Sequence, residues 1–173
     1  LKPAREIPEY AEYSKNNKGI KEGGVIKLNA EHPDNRTSKS IFTFCDASGA
    51  SVQPVAEDKI VMNALGGSQW SRVGESAEWK IDVPESGLYE LRIKYMQGYT
   101  NGRGVSRSFY VDGEVPFKEA LNIYFPYSSK WKEMTFSDEK GAYSFYLEKG
   151  EHTVALAVSL GDMAEIINDS KTV

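Results

Sequence analysis

Hydrophobic and polar residues alternate along most of this chain, and a period of two predicts strands. In YELRIKY, Tyr89, Leu91, Ile93 and Tyr95 face one way and Glu90, Arg92 and Lys94 the other. EWKIDV repeats the pattern with Trp79, Ile81 and Val83, AYSFYL with Tyr143, Phe145 and Leu147, and HTVALAV with Val154, Leu156 and Val158. Turn signals separate the runs: PESG at 84–87, VDGE at 111–114 and EKG at 148–150. Many short strands, each with one wet face, predict an all-β fold, an antiparallel β-sandwich.

The ends follow a different rhythm. REIPEYAEYSK at 5–15 places Ile7, Tyr10, Ala11 and Ser14 at helical spacing, with Pro8 suited to a first turn. NNKGIKEGG then breaks the helix, and near the other end GDMAEIINDS is again helical in spacing through Met163, Ile166 and Ile167. The predicted organisation is a helical flank or linker at 1–24, the sandwich at 25–159 and a helical flank at 160–173. Short amphipathic helices have little of their own to bury against. They either belong to a host domain of the same polypeptide, the organisation we expect, or cap the sandwich. The chain begins at Leu1 rather than Met, as an excised piece of a longer protein does, and any targeting signal is then hidden.

Composition narrows the function. A chain of 173 residues suits one domain with a full core. The net charge of −4, with basic residues scattered rather than in runs, argues against nucleic acid as a partner. No apolar run approaches the length of a membrane span, so direct insertion is not expected. Cys45, the one cysteine, allows no internal disulfide and reads as a small buried hydrophobe.

Catalysis finds little to work with. His32 in NAEHPD and His152 in EHTV show no partner recognisable by spacing, and both read as solvated turn histidines. The carboxylates fall mostly on wet strand faces or in turns, and neither GGSQWS nor TNGRG continues as a phosphate loop. No enzyme is predicted.

Saccharide binding needs other groups. Pyranose rings expose apolar C–H patches that stack on flat aromatic faces, while their hydroxyls need well-placed donors and acceptors. The loop MQGYTNGRGVSR at 96–107 offers both, with Tyr99 as the ring and Asn101, Arg103 and Arg107 as polar partners. An ordinary hairpin is the alternative. NIYFPYSSKW is the second candidate. Phe125 is the expected core ring, Tyr124 and Tyr127 line a cleft with Asn122, and Pro126 fits an edge or loop. Trp79 is expected in the core, whereas Trp70, close to a turn and to Arg72, reads either way.

The order EWKIDVPESGLYELRIKY, SFYVDGE, SSKW, YLEKGEHTVALAV resembles the carbohydrate-binding modules of families 6 and 35 over about residues 25–159. The resemblance implies a galactose-binding-like jelly roll, exported and extracellular or cell-surface in a bacterium, which binds an oligosaccharide or polysaccharide beside the host domains of a larger protein. In such modules the tryptophan at the place of Trp131 often packs structurally, so its ligand role stays open. They commonly carry a structural Ca²⁺ near the first strand, held by an E-x-E pair. Here VIKLNAEHPD offers Asn29 and Glu31, which period two would put on one face; the last-strand aspartate of such modules is not evident after Val158, although Asp162 is near. A narrower resemblance, carried by SFYVDGEVPFKEA and IYFPYSSKW, is to sandwiches embedded in solute-binding proteins of bacterial sugar transporters. The rival to saccharide binding is a structural or protein-interaction sandwich with its aromatics buried against host helices.

Overall fold

A computed structural model describes residues 6–48, 60–67 and 69–159. The predicted C-terminal flank, with Asp162, lies outside them. The elements run α1 (Tyr10–Asn16), β1 (Asn35–Arg36), β2 (Phe42–Phe44), β3 (Ala64–Gly66), β4 (Ser76–Val83), β5 (Gly87–Glu90), β6 (Arg92–Gln97) and β7 (Val105–Val111). A 3-10 turn at Lys118–Asn122 leads to β8 (Ile123–Phe125), β9 (Ser128–Thr135), β10 (Ser137–Asp138), β11 (Gly141–Ala142), β12 (Ser144–Leu147) and β13 (Gly150–Val158).

One layer is an antiparallel five-stranded sheet in the order β1-β4-β13-β7-β8. The other is built on 87–97, where β5 and β6 follow each other across Leu91. Strand β6 pairs with β9, and β5 pairs with β12. Between β9 and β12 the small hairpin β10–β11 loops out and Phe136 N–H still donates to Leu91 O at 3.0 Å. Strands β2 and β3 pair separately.

Alternation buries the residues it should. Trp79, Val83, Tyr95, Tyr143, Phe145, Leu147, Val154, Leu156 and Val158 are all buried, while Ile81, Tyr89, Leu91 and Ile93 on the same faces are half-buried. Rings join the two layers: Phe109 meets Phe136 and Phe145 edge-on, with centroids 5.5 and 4.9 Å apart, and Phe125 meets Tyr95 at 5.2 Å.

The alternation expected from Val25 fails over 25–31. That stretch forms no strand and ends in a turn closed by His32 N–H donating to Asn29 O at 3.0 Å.

Helix α1 docks on the sandwich. Tyr10 and Tyr13, one turn apart, pack on Phe117, and Tyr10 also meets Tyr143 at 4.6 Å. Their hydroxyls accept the free-edge N–H groups of β12, Ser144 N at 2.9 Å and Tyr146 N at 2.8 Å. The helix therefore closes an open sheet edge.

His152 is not a solvated turn residue. Its Nδ1 lies 2.6 Å from Asp112 Oδ2 and its Nε2 2.9 Å from Glu148 O. Both partners only accept, so both ring nitrogens must donate, which only the imidazolium can do. The Asp112 hydrogen bond raises the His152 pKa against the opposing effect of burial. For Asp112, burial pushes up, but the bonds from His152 and from Thr153 N–H prevail and the pKa falls. His152 thus stabilises the fold fully below its unfolded pKa of about 6.5, and less as pH rises through its higher folded value. Asp112 stabilises fully above its unfolded value of about 3.8 and less as pH falls through its lower folded value. Denaturant unfolding of the wild type and His152→Gln should differ most near pH 5 to 6, roughly midway in that window, and the difference should shrink as pH rises past it. A difference that ignores pH would contradict the ion pair.

Candidate functional site

Strand ends decide which predicted residues meet. Gln97 at the end of β6 pairs with Ser128 at the start of β9, and Val105 at the start of β7 pairs with Phe125 at the end of β8. The loop 98–104 and the turn 126–127 therefore emerge at one rim of the sandwich. Tyr99, Tyr124 and Tyr127 are exposed there, at 63, 59 and 41%. Phe125 between them is buried, as expected, because Tyr124 takes the outer side of β8 and Pro126 then ends the strand.

The loop is locally determined. Arg103 N–H donates to Thr100 O at 3.1 Å, and Asn101 and Gly102 have φ of 49° and 83°. This is a tight Asn-Gly turn with both central residues left-handed. Thr100, Asn101, Arg103 and Gly104 line a hollow of about 590 Å³. Tyr124 forms part of its surroundings, since its ring end rests where a side chain on Gly104 would stand. Asn122 is also exposed, two positions back along the same chain as Tyr124. The tip offers stacking faces together with amide and guanidinium donors, the two kinds of group a saccharide needs.

Gly104→Ala is expected to displace the Tyr124 ring. It should weaken binding of a rim ligand about fivefold while thermal stability changes by less than about 1 kcal/mol. Calorimetric titration beside thermal melting checks both. Undiminished affinity would remove Tyr124 from the site.

The other predicted residues are held by the fold. The Arg107 guanidinium stacks 5.3 Å from the Trp70 ring centroid and donates to Trp70 O and Ser106 O, each at 3.1 Å. Burial pushes its pKa down to about 10, so it stays charged. Trp70 donates its indole N–H to Glu75 O at 3.1 Å and packs against Gly66. These two residues are committed chiefly to each other. Trp131 donates to Asp46 Oδ2 at 2.9 Å. Asp46 is held low first by Ser48, whose hydroxyl donates at 2.5 Å, with Trp131 adding to the effect.

Asn29 and Glu31 do not form the expected common face. The turn at 29–32 leaves Asn29 exposed and buries Glu31, whose carboxylate lies 3.9 Å from His32 Nε2. Among the described residues no group of three His, Cys, Asp or Glu could hold a metal ion.

No protein-family model matches the chain. It is similar, at 31% identity over 104 residues, to a cycloisomaltooligosaccharide glucanotransferase from Niallia circulans. That match covers 60% of this chain but only 10% of the relative, so the chain spans about a tenth of that curated protein. Among solved structures, a cycloisomaltooligosaccharide glucanotransferase from Paenibacillus sp., complexed with cycloisomaltoheptaose, superposes with a TM-score of 0.56 at 22% identity, over 81% of this chain and 17% of that one. A family 35 carbohydrate-binding module from an environmental isolate superposes with a TM-score of 0.51 at 16% identity, over 79% of this chain and 85% of that module. The chain has the fold of a family 35 carbohydrate-binding module.

Within that family 35 fold, sequence reasoning missed Gln97. Its side-chain nitrogen donates to Thr100 Oγ1 at 2.6 Å, tying the loop to β6. The register of β6 against β9 shifts between Tyr95 and Gln97, from Lys132 to Ser128. That bulge lies opposite Met96 and carries Trp131. Nothing in the alternation marks it. The one signal is GYTNGRG, which starts straight after Gln97.

Proposed function

We propose that this chain is a non-catalytic carbohydrate-binding module of a larger, exported glycan-active protein. Tyr99, Tyr124 and Tyr127, exposed at the rim around the hollow of the 98–104 loop, carry the reading. A sugar ring stacks on tyrosine, and Asn101 and Arg103 address its hydroxyls. Affinity is modest, because stacking and a few hydrogen bonds must offset sugar desolvation and loop ordering. The relatives favour a glycan-active enzyme as host over a sugar-transporter solute-binding protein, and their names make a glucan the first ligand to test. The structural-sandwich alternative needs rings hidden by residues 1–20 and 160–173, the second of which lies outside the described residues. Helix α1 packs on Phe117 and Tyr143 instead of the rim tyrosines.

A glycan array followed by electrophoresis in polysaccharide-containing gels tests the reading. Retarded migration in a glucan gel is expected, relieved by free cycloisomaltoheptaose. Unchanged migration in every polysaccharide, with no signal on the array, favours the structural alternative.

A further inference from the structure

Resting on that reading, we propose that Gln97 is a recognition residue of the rim, its Oε1 accepting a hydrogen bond from a hydroxyl group of the bound saccharide. The orientation of its amide follows from the network around it. The Thr100 hydroxyl donates its one hydrogen to Arg103 O. It must then accept from Gln97, which turns the amide nitrogen to Thr100 and the oxygen away. Gln97 Oε1 is shut off from solvent and has no hydrogen-bond partner among the described residues. A buried acceptor without a donor is unfavourable, and native proteins seldom retain one without a use.

Its position supplies the use. Gln97 stands at the root of the loop that presents Tyr99, Asn101 and Arg103, beside the register shift that lets β9 turn away from β6. Bulges of this sort gather beside binding sites, where they re-aim side chains. Glycines at 98 and 104 flank the loop and let it part from the strand ends. A hydroxyl entering there supplies the missing donor, while Tyr99 offers its face to the same sugar. The residue that anchors the loop thereby also reads the ligand.

Two substitutions separate anchoring from reading. Gln97→Met removes both; Gln97→Glu gives up the amide nitrogen that anchors and keeps an acceptor oxygen. Calorimetric titration with cycloisomaltoheptaose should show about tenfold weaker binding for Gln97→Met and less than about threefold for Gln97→Glu. Monodeoxy isomaltotriosides then test the hydroxyl itself. One of them should weaken the wild type about tenfold and leave Gln97→Met unaffected relative to the parent sugar. Should Gln97→Met melt far below the wild type, Gln97→Glu, which keeps an acceptor, is expected to retain the deoxy response. Equal deoxy profiles in wild type and Gln97→Met, or a deoxy response lost in Gln97→Glu, overturn the role of Gln97 alone. A wild type that binds no saccharide overturns the rim reading and this proposal with it.

Discussion

Phe117→Ala should destabilise the fold by about 3–5 kcal/mol, the largest effect expected of any single substitution here. Phe117 is fully buried. Its ring centroid lies 4.8 Å from that of Tyr10, 5.2 Å from those of Tyr13 and Tyr143, and 5.3 Å from that of Phe145. Removing it leaves a cavity between helix α1 and the sandwich and slackens the two tyrosines whose hydroxyls close the edge of β12. Against a typical stability of about 5–15 kcal/mol that is a large share, corresponding to a melting temperature lower by roughly 10 °C or more. Denaturant unfolding checks it. A loss under about 1 kcal/mol would show that α1 and its ring cluster contribute little to the folded domain.

The second large effect concerns binding. Tyr99→Ala and Tyr124→Ala should each weaken glycan affinity about tenfold, and the double variant about a hundredfold, since each removes one stacking face of roughly 1–1.5 kcal/mol. Stability should move by less than about 0.5 kcal/mol per substitution, because both rings are largely exposed. Affinity and stability thus part company at the rim, whereas Phe117 moves stability first. Titration calorimetry of the three variants supplies the numbers. Wild-type affinity in the double variant would relocate the site elsewhere on the sandwich.

Much of this arrangement was legible in the chain. Period two identified Trp79, Phe145, Leu156 and their partners as core because each strand has one wet face, and that constraint is local. The same reasoning separated Phe125 from Tyr124, and Pro126 explained why Tyr127 escapes the core. It failed at 25–31, where a turn replaces the strand, so Asn29 and Glu31 part instead of sharing a face. Pairings distant in sequence were not legible. His152 meets Asp112 only because β13 and β7 align Val154 with Val111. Arg107 and Trp70 spend themselves on each other for a similar reason, through a contact that spans 37 positions. Gln97 stayed hidden because its role depends on a register shift and on the direction of one amide, neither of which residue type encodes.

The rim tyrosines can be watched directly. With tyrosine rings isotopically labelled and assigned by single Tyr→Phe substitutions, NMR spectra recorded as saccharide is added report each ring separately. The account predicts that Tyr99, Tyr124 and Tyr127 signals shift together and saturate, while those of buried Tyr143 and of half-buried Tyr10 and Tyr13, on helix α1, stay in place. Rim signals that remain still while the protein demonstrably binds sugar would contradict it.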